Sequence, residues 1–321
     1  MSWIITGGAG FIGSCLISKL NSQCVSDLII VDNIGKSPKW RNISNKQFQI
    51  YIPKQRLFDS LNTLPDINGI VHLGACSSTT EIDFDYLYAN NYQYSVELYR
   101  FCAQRNIPFI YASSASVYGD GTLGFSEDVP CCKLTPLNRY GYSKKLFDEW
   151  LDLQEKHNNQ CVGLRFFNVY GPNEYHKGAM ASMVYHGFRQ ITTTGKIRLF
   201  KSDNPQYLHG EQSRDFVFVN DVCNVIIYFM QHPEYSGVYN VGTGRCYTFN
   251  DLAEALFSAL SIPSSIEYID MPENLKLSYQ YCTKADIEKL RKCGYVKKMT
   301  SLGKGVREYV DQYLCQSYKV L

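Results

Sequence analysis

The stretch that most restricts what this chain can fold into lies within its first dozen residues. Trp3-Ile4-Ile5 is a short apolar run that feeds straight into Thr6-Gly7-Gly8-Ala9-Gly10-Phe11-Ile12-Gly13. The glycines fit G-x-G-x-x-G through Gly8, Gly10 and Gly13, and G-x-x-G-x-x-G through Gly7, Gly10 and Gly13. Such spacing lets a strand turn tightly into a helix, lets the backbone approach a pyrophosphate, and lets the helix pack on the strand. The helix expected over about residues 11–20 aims the positive end of its dipole at that pyrophosphate. Leu28-Ile29-Ile30-Val31 then ends at Asp32, about 20 residues on, where a ribose hydroxyl needs an acceptor. A dinucleotide cofactor is the first expectation.

At 321 residues the chain can form one large or two modest domains with a substantial core. A hydrophobic share of 45% against a charged share of 19% suits a soluble globular protein. The net charge of +2 gives no reason to expect nucleic acid or a membrane surface as partner. No apolar run reaches the length of a membrane span. There are twelve cysteines but no C-x-x-C pair, and no charged and apolar signal segment precedes the first strand. They read as reduced, scattered thiols of a cytoplasmic protein. The six histidines never fall at ligand spacing beside Cys or acids, so no metal site is expected. Most of the 25 tyrosines and 17 phenylalanines read as packing residues.

Along the chain, strands are expected at 47–52, 69–73, 107–111 and 161–165, and helices at about 84–104 and 139–157. This alternation predicts an α/β fold, a doubly wound parallel sheet with right-handed crossovers and ligands beyond the carboxyl ends of its strands. The small-residue turns after Ile5, Leu73 and Tyr111 all fall on that edge. After Phe166 the rhythm changes. Residues 168–177 read as loop with a break at Gly171-Pro172, 179–190 as helix, and 202–212 as polar and irregular. A helix at 221–230 and a strand at 237–241 return to the earlier style, followed by helices at 249–260, 284–292 and about 302–316. The expected division is a Rossmann domain of residues 1–166 plus about 214–241, and a smaller substrate domain of about 167–213 plus 242–321.

Tyr140-Gly141-Tyr142-Ser143-Lys144 opens an expected helix and sets Tyr140 and Lys144 four apart, on one face. A lysine ammonium beside a phenol favours the phenolate and lowers the tyrosine toward neutrality, which makes a general base for an alcohol. Y-x-x-x-K is a weak pattern alone. Upstream, Ala112-Ser113-Ser114-Ala115-Ser116 follows a strand, and a serine there can hydrogen-bond the same substrate oxygen. With the N-terminal glycines the combination becomes specific. Asp32 alone points to NAD, since its charge repels a 2′-phosphate; Lys39 and Lys54 offset that repulsion if they reach the phosphate.

Gly7, Gly10, Gly13, Ser114 and Tyr140 with Lys144 resemble the extended short-chain dehydrogenase/reductase family. Further stretches resemble one branch of it, the epimerases that invert C6 of an ADP-heptose in lipopolysaccharide inner-core synthesis. They are Gly74-Ala75-Cys76-Ser77-Ser78-Thr79-Thr80-Glu81, Asn90-Asn91-Tyr92-Gln93-Tyr94-Ser95, Asn168-Val169-Tyr170-Gly171-Pro172 and His176-Lys177-Gly178-Ala179-Met180-Ala181-Ser182. The likeness runs through Arg214-Asp215-Phe216 to Tyr279. It implies oxidation of the sugar at C6 by NADP, a flip, and reduction on the other face; NAD stays open. It implies that Ser114 binds the reacting oxygen, Tyr140 is one acid/base, Lys144 orients the cofactor ribose and Lys177 is the second acid/base. Lys177 would be brought toward neutrality by burial and a positive neighbour.

By the same resemblance, cofactor positions are Gly7, Gly10, Phe11, Ile12, Gly13, Asp32, Asn33, Lys39, Lys54, Leu73, Gly74, Ala75, Cys76, Ser77, Asn90 and Val169, with Tyr140, Lys144 and Lys177. Besides Ser114, the ADP-sugar positions are Asn168, Ala179, His186, Phe200, Lys201, Ser202, Asp203, Arg214 and Tyr279. Leu73 stands where an acid is expected, and 202–212 is longer than expected. A homo-oligomer, a pentamer, is also implied. Among rivals, an epimerase acting at C4 of a nucleotide sugar such as a UDP-hexose fits Ser114-Ala115-Ser116-Val117-Tyr118-Gly119 equally. A sugar 4,6-dehydratase would carry acids where Ala115 and Ser116 stand. A cofactor-binding regulator without turnover would have no need of Tyr140 with Lys144.

Overall fold

The structure, a computed structural model, describes residues 2–64, 66–154, 158–276 and 279–321. At its centre lie strands β1 (Ser2–Thr6), β2 (Leu28–Asp32), β3 (Ile50–Pro53), β4 (Ile67–His72), β5 (Phe109–Ser114) and β6 (Cys161–Phe166), joined by a later strand, Gly237–Val241. Across the sheet the order is Gly237–Val241, β6, β5, β4, β1, β2, β3. Every neighbouring pair is parallel. The doubly wound parallel sheet expected from the alternation is the one found. Its order reverses at β1, so the ligand crevice of such a sheet opens between β1 and β4.

Side chains alternate across each strand, and this builds both layers. Ile5, Ile30 and Val71 pack with Leu16, Ile17 and Leu20 of the helix Phe11–Ser22 and with Val222, Val225 and Ile226 of the helix Val219–Gln231. Their neighbours Ile4, Ile29 and Ile70 point the other way. They pack with Leu98 and Cys102 of the helix Tyr94–Arg105 and Phe147 of the helix Arg139–Asp152. Fully burying one such side chain is worth about 1.5–3 kcal/mol, so a strand slipped by one residue would forfeit both layers.

Several expected elements differ in detail. The helix expected over 84–104 is three pieces: Phe84–Leu87, a π-helical turn Tyr88–Gln93, and Tyr94–Arg105. The helix at Arg139–Asp152 ends short of its expected limit, of which 155–157 lie outside the described residues. The strand expected at 47–52 is Ile50–Pro53. Asn168–Tyr170, expected as loop, is a strand paired in parallel with Phe216–Phe218. The helix expected from 179 starts at Met183, because Ser182 Oγ accepts from the Tyr185 amide at 3.2 Å and caps it there. Ile197–Phe200 and Ile266–Ile269, not anticipated as strands, pair in parallel. The helix expected at 284–292 is Glu288–Lys292. The last helix, Leu302–Tyr309, continues as a π-helical turn, Val310–Leu314. Among the described residues, no helix is long and apolar enough to cross a membrane, and no group of three His, Cys, Asp or Glu could hold a metal.

Candidate active site

β1 ends at Thr6, and Gly7 turns the chain with φ +67°, a left-handed conformation open to glycine. A Cβ on Gly7 would stand 2.7 Å from the Gly74 amide nitrogen, and one on Gly13 would strike the Gly7 carbonyl. The loops after β1 and β4 therefore meet backbone to backbone at the crevice. Phe11, Ile12 and Gly13 make the first turn of the helix Phe11–Ser22. Its N-cap is Gly10, with no side-chain cap and no acid in the first turn. Its leading amides fit a pyrophosphate.

Asp32 is buried at the end of β2. Its Oδ2 accepts from the Ala9 amide at 2.9 Å, and its Oδ1 from the Asn33 amide at 2.7 Å and Lys39 Nζ at 2.6 Å. The carboxylate thus holds the glycine loop and is charge-paired with Lys39. Lys54 Nζ donates to Asn90 Oδ1 and lies 4.8 Å from the Tyr94 ring centre. Burial pulls its pKa down, with Asp32 opposing.

After β4, the Leu73 amide donates to Thr6 O and the Gly74 amide to Thr6 Oγ1, each at 3.1 Å. Ala75 and Cys76 follow half-buried, and Ser77 is exposed. Behind them runs a buried relay that the sequence reading missed. Thr6 Oγ1 lies 2.6 Å from His72 Nδ1, and His72 Nε2 3.0 Å from Ser95 Oγ, which donates to Asn91 O at 2.7 Å. Ser95 gives its proton to Asn91, so His72 donates from Nε2 and accepts at Nδ1. Burial holds His72 well below its ordinary pKa, in this neutral form. Asn91 sits in the π-helical turn. Its Oδ1 accepts from the Cys76 amide at 2.8 Å, while its Nδ2 donates to Cys76 O at 3.0 Å and Ser143 Oγ at 2.9 Å. Ser143 Oγ donates to Tyr140 O at 2.7 Å, so the relay reaches from the glycine loop to the Tyr140 helix. The doublet Asn90-Asn91 was the available signal.

Asn138 Oδ1 accepts from the Gly141 amide at 2.8 Å and starts the helix, placing Tyr140 in its first turn and Lys144 one turn on. Ser114, at the end of β5, is hydrogen-bonded to the Tyr140 phenol and accepts from the Ser116 amide at 3.2 Å. One expectation is overturned: the half-buried phenol is raised by desolvation, not lowered, with the Ser114 hydrogen bond opposing. Lys144 does not direct its ammonium at the phenol; Nζ donates to Ala112 O at 2.9 Å. Burial brings Lys144 down to about 8, with Asp148 opposing. Asp148 in turn accepts from Tyr111 at 3.0 Å and Ser113 at 2.9 Å, and forms a buried ion pair with Arg165 at 3.1 Å.

Lys177 stands in the 3₁₀ turn Tyr175–Met180, with Nζ 5.4 Å from the centre of the Phe11 ring. Burial lowers its pKa, with Glu174 opposing. The expected positive neighbour is not His176, which burial pulls down to about 4, leaving it neutral near pH 7. The turn is firmly anchored. Glu174 is fully buried and accepts from the Ser182 amide at 2.5 Å, Ser182 Oγ at 2.7 Å and the Gly171 amide at 3.3 Å. Asn42 Nδ2 bridges Ala9 O at 3.0 Å and Asn173 O at 3.1 Å, tying the turn to the glycine loop. Ala179 is exposed at its end, and His186 lies in the helix Met183–Thr194. Val169 is half-buried on its strand.

A second group forms around Arg214. Its guanidinium lies 5.0 Å from the Tyr279 ring centre and 5.6 Å from that of Phe249. Burial lowers its pKa, with Tyr279 opposing. Phe200 meets Tyr279 edge-on at 6.4 Å. Lys201 pairs with Asp270 at 2.9 Å and Asp203 with Lys276 at 3.2 Å, while Ser202 and Asp203 help line a cavity of about 360 Å³. Asn168 reaches this group through Thr283 Oγ1, 3.5 Å from its Oδ1. Gln280 Nε2 donates to Gly119 O, which brings the residue beside Tyr279 to the turn that follows Ser114. An open groove of about 810 Å³, lined in part by Thr79, Ile82, Tyr142 and Lys145, runs beside the site and holds none of the candidate residues.

A glycine loop at the sheet crevice, with serine, tyrosine and lysine gathered at the ends of the next strands, defines a dinucleotide enzyme working on an alcohol or carbonyl carbon. The chain belongs to the NAD dependent epimerase/dehydratase family, whose profile matches residues 3–242. Within it, the chain is 46% identical over 325 aligned positions to the ADP-L-glycero-D-manno-heptose-6-epimerase of Fusobacterium nucleatum, covering 98% of each. The Helicobacter pylori ADP-L-glycero-D-manno-heptose-6-epimerase structure superposes with a TM-score of 0.82 at 29% identity, over 97% of this chain and 95% of that one. A variant of the Bacillus cereus UDP-glucuronic acid 4-epimerase, solved with NAD, superposes with a TM-score of 0.81 at 25% identity, over 99% and 100%.

Proposed function

We propose that this chain inverts C6 of ADP-D-glycero-D-manno-heptose to give ADP-L-glycero-D-manno-heptose, for lipopolysaccharide inner-core synthesis. The observation that carries the reading is the likeness, over nearly the whole of both chains, to the F. nucleatum epimerase. The family is NAD dependent, and a nicotinamide, when bound, supplies a hydride acceptor and donor on one fixed side of the substrate. Ser114 holds the C6 oxygen and Tyr140 takes its proton as the alcohol becomes a ketone. Lys144 steadies the cofactor ribose.

Inversion requires the ketone to turn its opposite face to the same cofactor side. Its oxygen then points away from Tyr140, which the helix holds in place. A second proton donor is needed across the pocket, and we assign it to Lys177. What supports this is its place beside Phe11 and a pKa lowered by burial. Arg214 and Tyr279 hold the ADP-sugar, with Asn168, Ala179, His186 and residues 200–203. We assign these to a substrate domain of about residues 167–213 and 242–321.

We further propose NADP as the cofactor. Lys39 already offsets the charge of Asp32, with Lys54 nearby, and either lysine can turn to a 2′-phosphate. A cytoplasmic homo-oligomer, a pentamer, completes the reading; light scattering tests the subunit number. The functional test is incubation of the purified protein with ADP-D-glycero-D-manno-heptose and with UDP-glucose, products resolved by NMR. Inversion at C6 without net cofactor consumption is expected. Turnover of UDP-glucose alone would select the C4 epimerase instead.

A further inference from the structure

Cys246 and Cys282 are 36 residues apart in sequence, yet their sulfurs lie 3.5 Å apart. Both are free thiols; Cys246 is exposed and Cys282 partly so. Cys246 precedes the short strand Tyr247–Thr248, in which Tyr247 pairs with Arg214. Cys282 is bridged to Ser213, the residue before Arg214. Cys246 Sγ also donates to Thr283 O at 3.4 Å, which holds it over the Cys282 segment. The two thiols therefore sit on the segments flanking Arg214, and Cys282 is three residues from Tyr279.

We propose that Cys246 and Cys282 are a reversible disulfide site at the rim of the nucleotide-sugar pocket, closed by a low-molecular-weight disulfide such as oxidised glutathione. A disulfide bond is about 2.05 Å long, so closure asks the sulfurs to approach by about 1.5 Å. The exposed Cys246 thiolate attacks one sulfur of the small disulfide, forming a mixed disulfide and releasing one thiol. The Cys282 thiolate then displaces the second. Two protein thiols are oxidised to one disulfide, and the small disulfide is reduced to two thiols that carry off the two protons. Burial and the neighbouring thiol push Cys246 up to about 11, so closure speeds up as pH rises from neutral.

Closure ties two anchored segments together. The Thr243 and Gly244 amides donate hydrogen bonds to the Asp215 carboxylate at 2.7 and 2.9 Å, and the Ser213 amide donates to Tyr281 O at 2.8 Å. Arg214 rests on the Tyr279 and Phe249 rings, and its Nη1 donates to Ser213 O at 2.8 Å, so its position follows that of the segments the two cysteines flank. A bond from Cys246 to Cys282 draws those segments together and so displaces the Arg214 guanidinium. This consequence rests on the proposed reading of Arg214; the bond itself does not.

The test uses the whole protein as purified, treated with oxidised glutathione and then freed of it. Peptide mapping reads the bond, and calorimetry with ADP alone reads the pocket. A Cys246–Cys282 linked peptide, reversed by dithiothreitol, is expected, with ADP affinity about threefold weaker or more. Cys246→Ser is expected to lose both effects. The exposed Cys24, Cys132 and Cys315 serve as internal controls. No linked peptide, or one that forms through the control cysteines instead, refutes the site. Unweakened ADP binding after closure refutes the effect on Arg214, whereas a reduced protein that binds no ADP refutes the nucleotide pocket itself.

Discussion

The chemistry assigned to Tyr140 rests on a single oxygen. Tyr140→Phe removes only that atom, and acid–base catalysis is typically worth about 10²–10⁴-fold, so kcat should fall by that much with cofactor affinity kept. Near-normal turnover would remove Tyr140 from the role. Lys144 offers a pH test. Burial places its pKa at about 8, so below that it is an ammonium and above it a neutral amine. The charge-assisted bond to the ribose proposed for it is therefore lost as pH rises, and cofactor affinity, followed by fluorescence, should weaken between pH 7 and 9, two units bracketing that value. Lys144→Met should bind more weakly and show no such trend; an identical trend in the variant counts against the assignment. Lys177→Met separates two roles. As acid/base it loses turnover with near-normal ADP-sugar affinity; as a diphosphate clamp it chiefly raises KM.

At the scale of elements, the site depends on how turns and helix starts are made. Gly7→Ala combines a left-handed backbone with a Cβ set against Gly74, so the loops after β1 and β4 must part. A loss of about 1–3 kcal/mol in stability is expected, with cofactor binding weakened beyond it, as urea denaturation and titration would read. Unchanged cofactor affinity would mean that the loops need not touch. Asn138→Ala removes the cap of the Tyr140 helix at a cost of about 1 kcal/mol. It should lower kcat more than cofactor affinity, because Tyr140 lies in the freed turn. The π-helical turn that carries Asn91 was not legible in the sequence. Its extra residue leaves the flanking apolar spacing helical, so periodicity shows a continuous helix. The strand Asn168–Tyr170 was hidden for another reason: its partner, Phe216–Phe218, is 48 residues further on in register.

Across the whole molecule, one buried ion pair joins several layers. Arg165 on β6 meets Asp148 on the Tyr140 helix at 3.1 Å, and Asp148 also accepts from Tyr111 and Ser113 on β5. Asp148→Ala leaves Arg165 charged and unpaired in the interior, which should cost about 3–5 kcal/mol in urea unfolding. A loss under 1 kcal/mol, the scale of an exposed pair, would show that water reaches Arg165. By itself the sequence determined what local physics controls. Glycine spacing set the turn after β1, alternating apolar runs set the parallel sheet, and the four-residue spacing of Tyr140 and Lys144 set them on one helix face. Only the tertiary structure decided where Lys144 points, that the Tyr140 phenol is raised, that His176 is neutral, and that Asp32 is already engaged. It also decided which distant residues meet, Arg214 with Tyr279 and Cys246 with Cys282. Turn geometry and side-chain period act over a few residues and are written in order along the chain. Desolvation and Coulomb interactions depend on what packs around a group, and those neighbours arrive from anywhere in the sequence.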